Sequence, residues 1–219
     1  MRVSVVIDVE MCPVQKRVYT NRFPYSNEII QIGAVMLNEK FEIIDEFCSF
    51  IRPVFGKINY FIQNLTGITE KDIKIAPLLE TALHHMLDWI GDREPLFYSW
   101  SETDYYQIRG EILSKGINIK GIGILLNGNN WVDYQKTTMS RFDLCRAISL
   151  SDALTLTDLF PEGRLHDGLT DAYNTARVIA ELELHPEKKY TFEKVCRQDE
   201  APFGTSLGSL LQGVVLGTV

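Results

Sequence analysis

The chain has 219 residues, a formal net charge of −7 and 45% hydrophobic residues. That length fits one globular domain with a large core, and the apolar content excludes an intrinsically disordered chain. The acid excess argues against a general basic coat for nucleic acid, although bound divalent cations would offset part of it. The four cysteines, Cys12, Cys48, Cys145 and Cys196, form no CxxC pair of the kind a structural zinc site needs. With no secretory leader at the N-terminus, a cytoplasmic protein with reduced thiols is the expectation. No apolar run approaches the roughly 20 residues needed to cross a bilayer, so no membrane span is expected.

Residues 3–9 are β-branched and almost continuously apolar, the pattern of a strand buried on both faces. A polar, proline-containing stretch follows over 13–27. Two more strand-like runs, 29–37 and 41–51, flank Asn38-Glu39-Lys40, which reads as a hairpin turn. Beyond Pro53 the period becomes helical, over 60–65, ending near Gly67, and over 77–90, with Pro77 in its first turn. Residues 96–100 read as a fourth strand, and a helix over 104–114 starts directly after it. Further helices are predicted over 131–146, over 151–159 with Ser151 as N-cap, and over 169–184. In the last of these, Ala172, Ala176 and Ala180 give a small-residue side able to approach a sheet closely.

Strands first, then helices alternating with a strand, predict an α/β fold with a mixed sheet and helices on its faces. After Pro186 the chain turns charged and then Gly- and Leu-rich over 204–219. That tail is apolar enough to need cover, by docking on the domain or on a second copy, which makes self-association through it one expectation.

Three groups of residues carry chemistry. Asp8 and Glu10 end the first strand, and side chains two apart on a strand share a face, so both carboxylates reach one cation cluster. The spacing alone is weak, because about one such triplet is expected by chance. A second copy, Asp92 and Glu94, lies between Gly91 and Pro95 in what reads as a solvated turn. The copy at Asp8 closes a buried strand, where ionised pairs are costly without a cation or partner. Asp104 falls where a strand ends and a helix begins, a junction that serves function or simple helix capping. His166 precedes a helix whose first turn holds Asp171, an acid that would also complement the helix dipole.

The order of these groups resembles the DEDDh exonucleases of the DnaQ-like superfamily: a strand-terminal DxE, an aspartate after a later strand, then HxxxxD opening a near-terminal helix. The resemblance extends to Glu28-Ile29-Ile30-Gln31-Ile32-Gly33-Ala34-Val35, Phe50-Ile51-Arg52-Pro53, Leu65-Thr66-Gly67-Ile68-Thr69 and Asp171-Ala172-Tyr173-Asn174-Thr175-Ala176-Arg177. It is closest to the Eri-like branch, which includes KapD-type proteins. The chain departs from that pattern in Met11-Cys12 after the first motif, in Ser101 after Trp100, and in Thr170 where Eri-like members often carry an acid.

The resemblance implies a ribonuclease-H-like mixed sheet flanked by helices, with an exonuclease domain over 1–184 and a C-terminal extension of unknown role over 185–219. It implies two Mg²⁺ or Mn²⁺ ions held by Asp8, Glu10, Asp104 and Asp171, with His166 as general base. Val9, Met11, Leu65 and Trp100 would line the terminal-nucleotide site, chiefly through the backbone around Met11 and through Leu65 as a wedge. The implied reaction is hydrolysis from a 3′ end of single-stranded RNA, or of DNA, to 5′-mononucleotides. A DNA proofreading-type exonuclease and a non-catalytic nucleic-acid-binding protein on the same fold remain the alternatives.

Overall fold

The computed structural model describes residues 1–14, 25–188 and 190. Three strands come first: β1 (Arg2–Pro13), β2 (Asn27–Leu37) and β3 (Ile43–Phe50), each antiparallel to the next. The hairpin between β2 and β3 is closed by Asn38, whose side-chain oxygen accepts from the N–H groups of Lys40 (2.8 Å) and Glu42 (3.0 Å). Two later strands, β4 (Glu94–Ser99) and β5 (Trp131–Asp133), run parallel to β1, giving the order β3-β2-β1-β4-β5. β1 is the centre of the sheet, and β2 is buried along its whole length.

Alternation along β1 sorts its side chains onto two faces. Val3, Val5, Ile7, Val9 and Met11 enter a core completed by α1 (Tyr60–Thr66), α3 (Leu79–Ile90) and α4 (Glu102–Lys115). Val6 enters a second core with Trp100, Tyr134, α7 (Leu150–Leu156) and α8 (Gly168–Leu184). Ala172 and Ala176 are fully buried in that second core, and α8 packs on β1 and β2 as its small-residue side predicts.

Several local expectations differ from the structure. The helix predicted over 131–146 opens as β5, and only α6 (Tyr134–Arg141) is helical. Trp131 pairs with Phe97 of β4 and stacks on its ring at 4.9 Å, a contact that fixes an extended backbone too short to leave a period of its own. The N-cap of α7 is Ser149, not Ser151. Ser149 and Asp152 form a reciprocal capping box, the three-residue spacing that two orphan N–H groups require. Two short helices, α2 (Glu70–Lys74) and α5 (Gly123–Leu126), had no recognisable pattern. Just beyond α8 the chain folds back on it, with Lys188 Nζ 2.8 Å and the Tyr190 hydroxyl 2.9 Å from Glu181 Oε1. The tail over 204–219, with the docking and self-association expected of it, lies outside the described residues. Among the described residues no helix is long and apolar enough to cross a membrane.

Candidate active site

Asp8 and Glu10 stand opposite Gly33 and Gln31 of β2, on the α8 side of the sheet. The parallel pairing of β1 with β4 ends at Val6, so both acids lie beyond it, where the strand is open to the helix that follows β4. That helix is α4, started by Ser101, whose hydroxyl accepts from the Thr103 N–H. Asp104 in its first turn is buried, and its Oδ1 accepts from the Val9 N–H at 3.1 Å. One hydrogen bond therefore fixes the start of α4 against the residue between the two β1 acids.

The fourth acid arrives because two glycines let a helix touch the sheet. A Cβ on Gly33 would lie 2.1 Å from the backbone of Gly168 and Leu169, so no side chain fits between β2 and the start of α8. Gln31 fastens the contact: its Oε1 accepts from the Gly168 N–H (2.9 Å) and its Nε2 donates to Asp167 Oδ2 (3.0 Å). Asp167 also caps α8 by accepting from the Thr170 N–H at 3.0 Å. Asp171, in the first turn, accepts from the His166 N–H at 2.9 Å and so holds His166 in a left-handed conformation at φ 63. Such a conformation is uncommon for a side-chain-bearing residue and persists only where its surroundings enforce it. Glu10, His166 and Asp171 each offer one ligand atom within 4.8 Å of the others.

The electrostatics follow from crowding acids in a partly dry site. Burial pushes Asp8 well above the ordinary carboxylate range, and repulsion from Asp104, Asp171, Glu10 and Asp167 adds to it. Glu10 is raised well above its range for the same reasons, burial first and then Asp171, Asp104 and Asp167. Burial raises Asp104 to about 7 despite the Val9 hydrogen bond, and Asp171 to about 6 despite that of His166. The neighbours that act on Asp8 and Glu10 are all carboxylates, and the buried Oδ1 of Asp171 has no hydrogen-bond partner. An oxygen-rich, mutually repelling cluster with an unsatisfied buried oxygen fits a divalent cation. Burial, and then the Arg164 charge, lower His166 from its ordinary 6.5.

The other expected residues are placed as follows. The side chains of Val9 and Met11 are buried in the first core, which leaves only their backbone toward the acids. Leu65 is half-buried in the last turn of α1 and packs against the same core. Trp100 lies in the second core, 8% exposed, and its Nε1 donates to the Ile148 carbonyl at 3.1 Å, so packing accounts for its indole. Asp92 and Glu94 lie at the amino end of β4, where Glu94 faces Arg2 at 3.8 Å, away from the acid cluster. Sequence reasoning did not single out Gln31 and Asp167 as site residues, although both fall within matched motifs. Arg164, whose guanidinium reaches α1, lay outside every motif.

Residues 5–179 match the RNase_T family model, described as exonuclease. The chain is 26% identical over 175 residues to the 3′-5′ exonuclease Snipper of Drosophila melanogaster, covering 71% of this chain and 60% of that protein. It is 30% identical over 179 residues to mouse ERI1 exoribonuclease 2, covering 69% of this chain and 25% of that protein. The chain thus spans less than two thirds of the length of either relative. Among solved structures, the nuclease domain of 3′hExo, a DEDDh family member bound to rAMP, superposes with a TM-score of 0.70 at 21% identity over 86% of this chain and 96% of that one. Exonuclease X in complex with 5′ overhanging duplex DNA superposes with a TM-score of 0.56 at 18% identity, covering 87% and 95%. Exonucleases of this kind are metal-dependent, and Glu10, His166 and Asp171 form a group that could hold an ion. The match over residues 5–179, on a fold shared with solved exonucleases, makes the chain a member of the RNase_T exonuclease family.

Proposed function

We propose that the protein removes nucleotides one at a time from the 3′ end of single-stranded RNA, releasing 5′-mononucleotides, with single-stranded DNA as a second substrate. The observation that carries this reading is the convergence of Asp8 and Glu10 of β1, Asp104 of α4, Asp171 of α8 and His166 of the loop before α8 at the end of β1. RNA is favoured because curated relatives are named exoribonucleases.

Asp8, Glu10, Asp104 and Asp171 would hold two divalent cations, Mg²⁺ or Mn²⁺, as hard ions take oxygen ligands. When bound, such ions lower the pKa of water and stabilise charge on a phosphoryl group. His166, kept neutral by burial and by Arg164, takes the proton of the attacking water. Asp171 orients it through the backbone bond to His166, while Asp104 keeps α4 and β1 in register. Leu65, at the end of α1, packs beside the last base, a contact that tolerates any base and so gives weak sequence selectivity. The exonuclease domain extends over 1–184, with the remainder as an extension.

The test uses matched 5′-labelled RNA and DNA oligomers with Mg²⁺. A ladder shortening from the 3′ end, suppressed by EDTA and slowed by a 3′-phosphate, is expected, with RNA cut at least as fast as DNA. Neutralising Asp92 and Glu94 should change the rate little. Early cuts within a circular single strand, or robust activity in EDTA, would reject the reading.

A further inference from the structure

Arg164 is exposed and lies two residues before His166, and its guanidinium crosses to another element. Its Nη2 donates to the carbonyls of Asn64 (2.6 Å) and Leu65 (3.3 Å). Those carbonyls belong to the last turn of α1, which has no intrahelical partners left and carries the negative end of the helix dipole, so a cation there is favoured. Gly67, at φ 78, completes the seat, because a Cβ on it would lie 2.3 Å from Arg164 Nη1. The loop's other anchors return to α8. Arg177 Nη1 donates to the Phe160 carbonyl (2.7 Å), Asn174 exchanges two bonds with Glu162 (both 3.0 Å), and Asp171 holds His166. Ile62 of α1 belongs to the core on one face of the sheet and Ala172 of α8 to the core on the other. Arg164 therefore joins the two layers across the end of the sheet where the acids converge.

We propose that Arg164 is a positioning residue: by fastening the 160–167 loop to α1, it sets where the His166 ring stands relative to the Leu65 wall. The catalytic part of this inference rests on the nuclease reading above. A left-handed His166 held from the α8 side alone would leave the loop free to swing away from α1, and misplacing a catalytic group by about 1 Å is enough to cost up to roughly 10²-fold in rate.

The experiment compares Arg164→Ala and Arg164→Lys in the full chain, by steady-state cleavage of a labelled oligoribonucleotide at saturating Mg²⁺ and by amide hydrogen exchange without substrate. Arg164→Ala should lower kcat roughly 10- to 100-fold with little change in KM. Arg164→Lys, which keeps a donor for a carbonyl, should recover most of the rate. In a His166→Gln background Arg164→Ala should cost little more, since the group it positions is gone. The amides of Glu162, His166 and Gly67, all hydrogen-bonded in the structure, should exchange faster in Arg164→Ala. A raised KM with kcat kept would mark a phosphate contact and overturn the proposal, as would full additivity with His166→Gln. Faster exchange in a protein that degrades no nucleic acid would leave the fastening in place and remove the nuclease reading. Unchanged exchange in an active enzyme would remove the fastening alone.

Discussion

His166 and Asp171 depend on each other at the level of single atoms. One carboxylate oxygen of Asp171 is taken by the His166 N–H, which holds the strained backbone, while the other is buried without a partner. His166 accepts a proton only when neutral, and burial together with Arg164 lowers its pKa from 6.5. Activity at saturating Mg²⁺ should therefore rise with pH along a limb whose midpoint lies below that ordinary value. His166→Gln should remove the limb and lose roughly 10²–10⁴-fold in rate, the usual contribution of a positioned general base. Single-turnover cleavage against pH for both proteins decides it: a variant that keeps the wild-type rate and the same limb rules His166 out as the base.

The contact of α8 with β2 is what brings Asp171 to Asp8 at the scale of elements. Gly33 and Gly168 face each other across it, yet they are not equivalent. An added Cβ meets rigid backbone at 2.1 Å at Gly33, but at Gly168 its nearest neighbours are 3.2 Å away. Relief at Gly33 requires α8 to move off the sheet, carrying Asp171 and the His166 loop with it. Gly33→Ala should therefore destabilise the fold by about 3 kcal/mol or more, at the upper end of overpacking costs. Gly168→Ala should cost distinctly less. Thermal unfolding of the two variants gives the comparison, and equal losses would mean that α8 is not held by this contact.

Across the whole molecule, the acid cluster sets how stability responds to pH. Asp104 rises to about 7 and Asp171 to about 6 from an ordinary 3.8, and Asp8 and Glu10 rise too. Folded pKa values above the unfolded ones mean that the folded state binds these protons more tightly. Their stabilising contribution is full below about pH 4 and is lost as pH rises through 6 to 7. Metal-free protein should accordingly melt higher at pH 5 than at pH 8, with a difference on the order of a few kcal/mol, and Mg²⁺ should close most of that gap. His166 acts in the opposite sense, because its neutral form is favoured, so the cleaner reading is the difference between wild type and Asp104→Asn. That variant should flatten the metal-free profile while nearly abolishing turnover. Melting curves with EDTA and with Mg²⁺ across this range provide the check, and a flat wild-type profile would mean that the acids do not repel one another as placed.

The strands of the sheet's centre were legible because β1 and β2 are buried on both faces, and such burial writes continuous apolar runs. That Asp8 and Glu10 share a face follows from the two-residue period of a strand, whereas Asp104 and Asp171, each readable as an ordinary helix-start acid, were singled out only by the order of motifs that resembles the DEDDh exonucleases. Segments whose conformation is imposed from outside were not legible. β5 is held by its pairing with β4 and the stacking of Trp131 on Phe97, and α2 and α5 are too short to show a period. Two DxE triplets, Asp8-Val9-Glu10 and Asp92-Arg93-Glu94, are equivalent in spacing, yet one closes on Gly33 and α8 while the other begins an exposed strand end. The carbonyls that Arg164 reaches lie 100 and 99 residues away, and no local pattern encodes a contact of that range. Local backbone preference and burial pattern determined the elements and the acids they carry. Only the tertiary contacts, glycine against glycine between β2 and α8 and the Asp104 bond to β1, decided which of those acids meet.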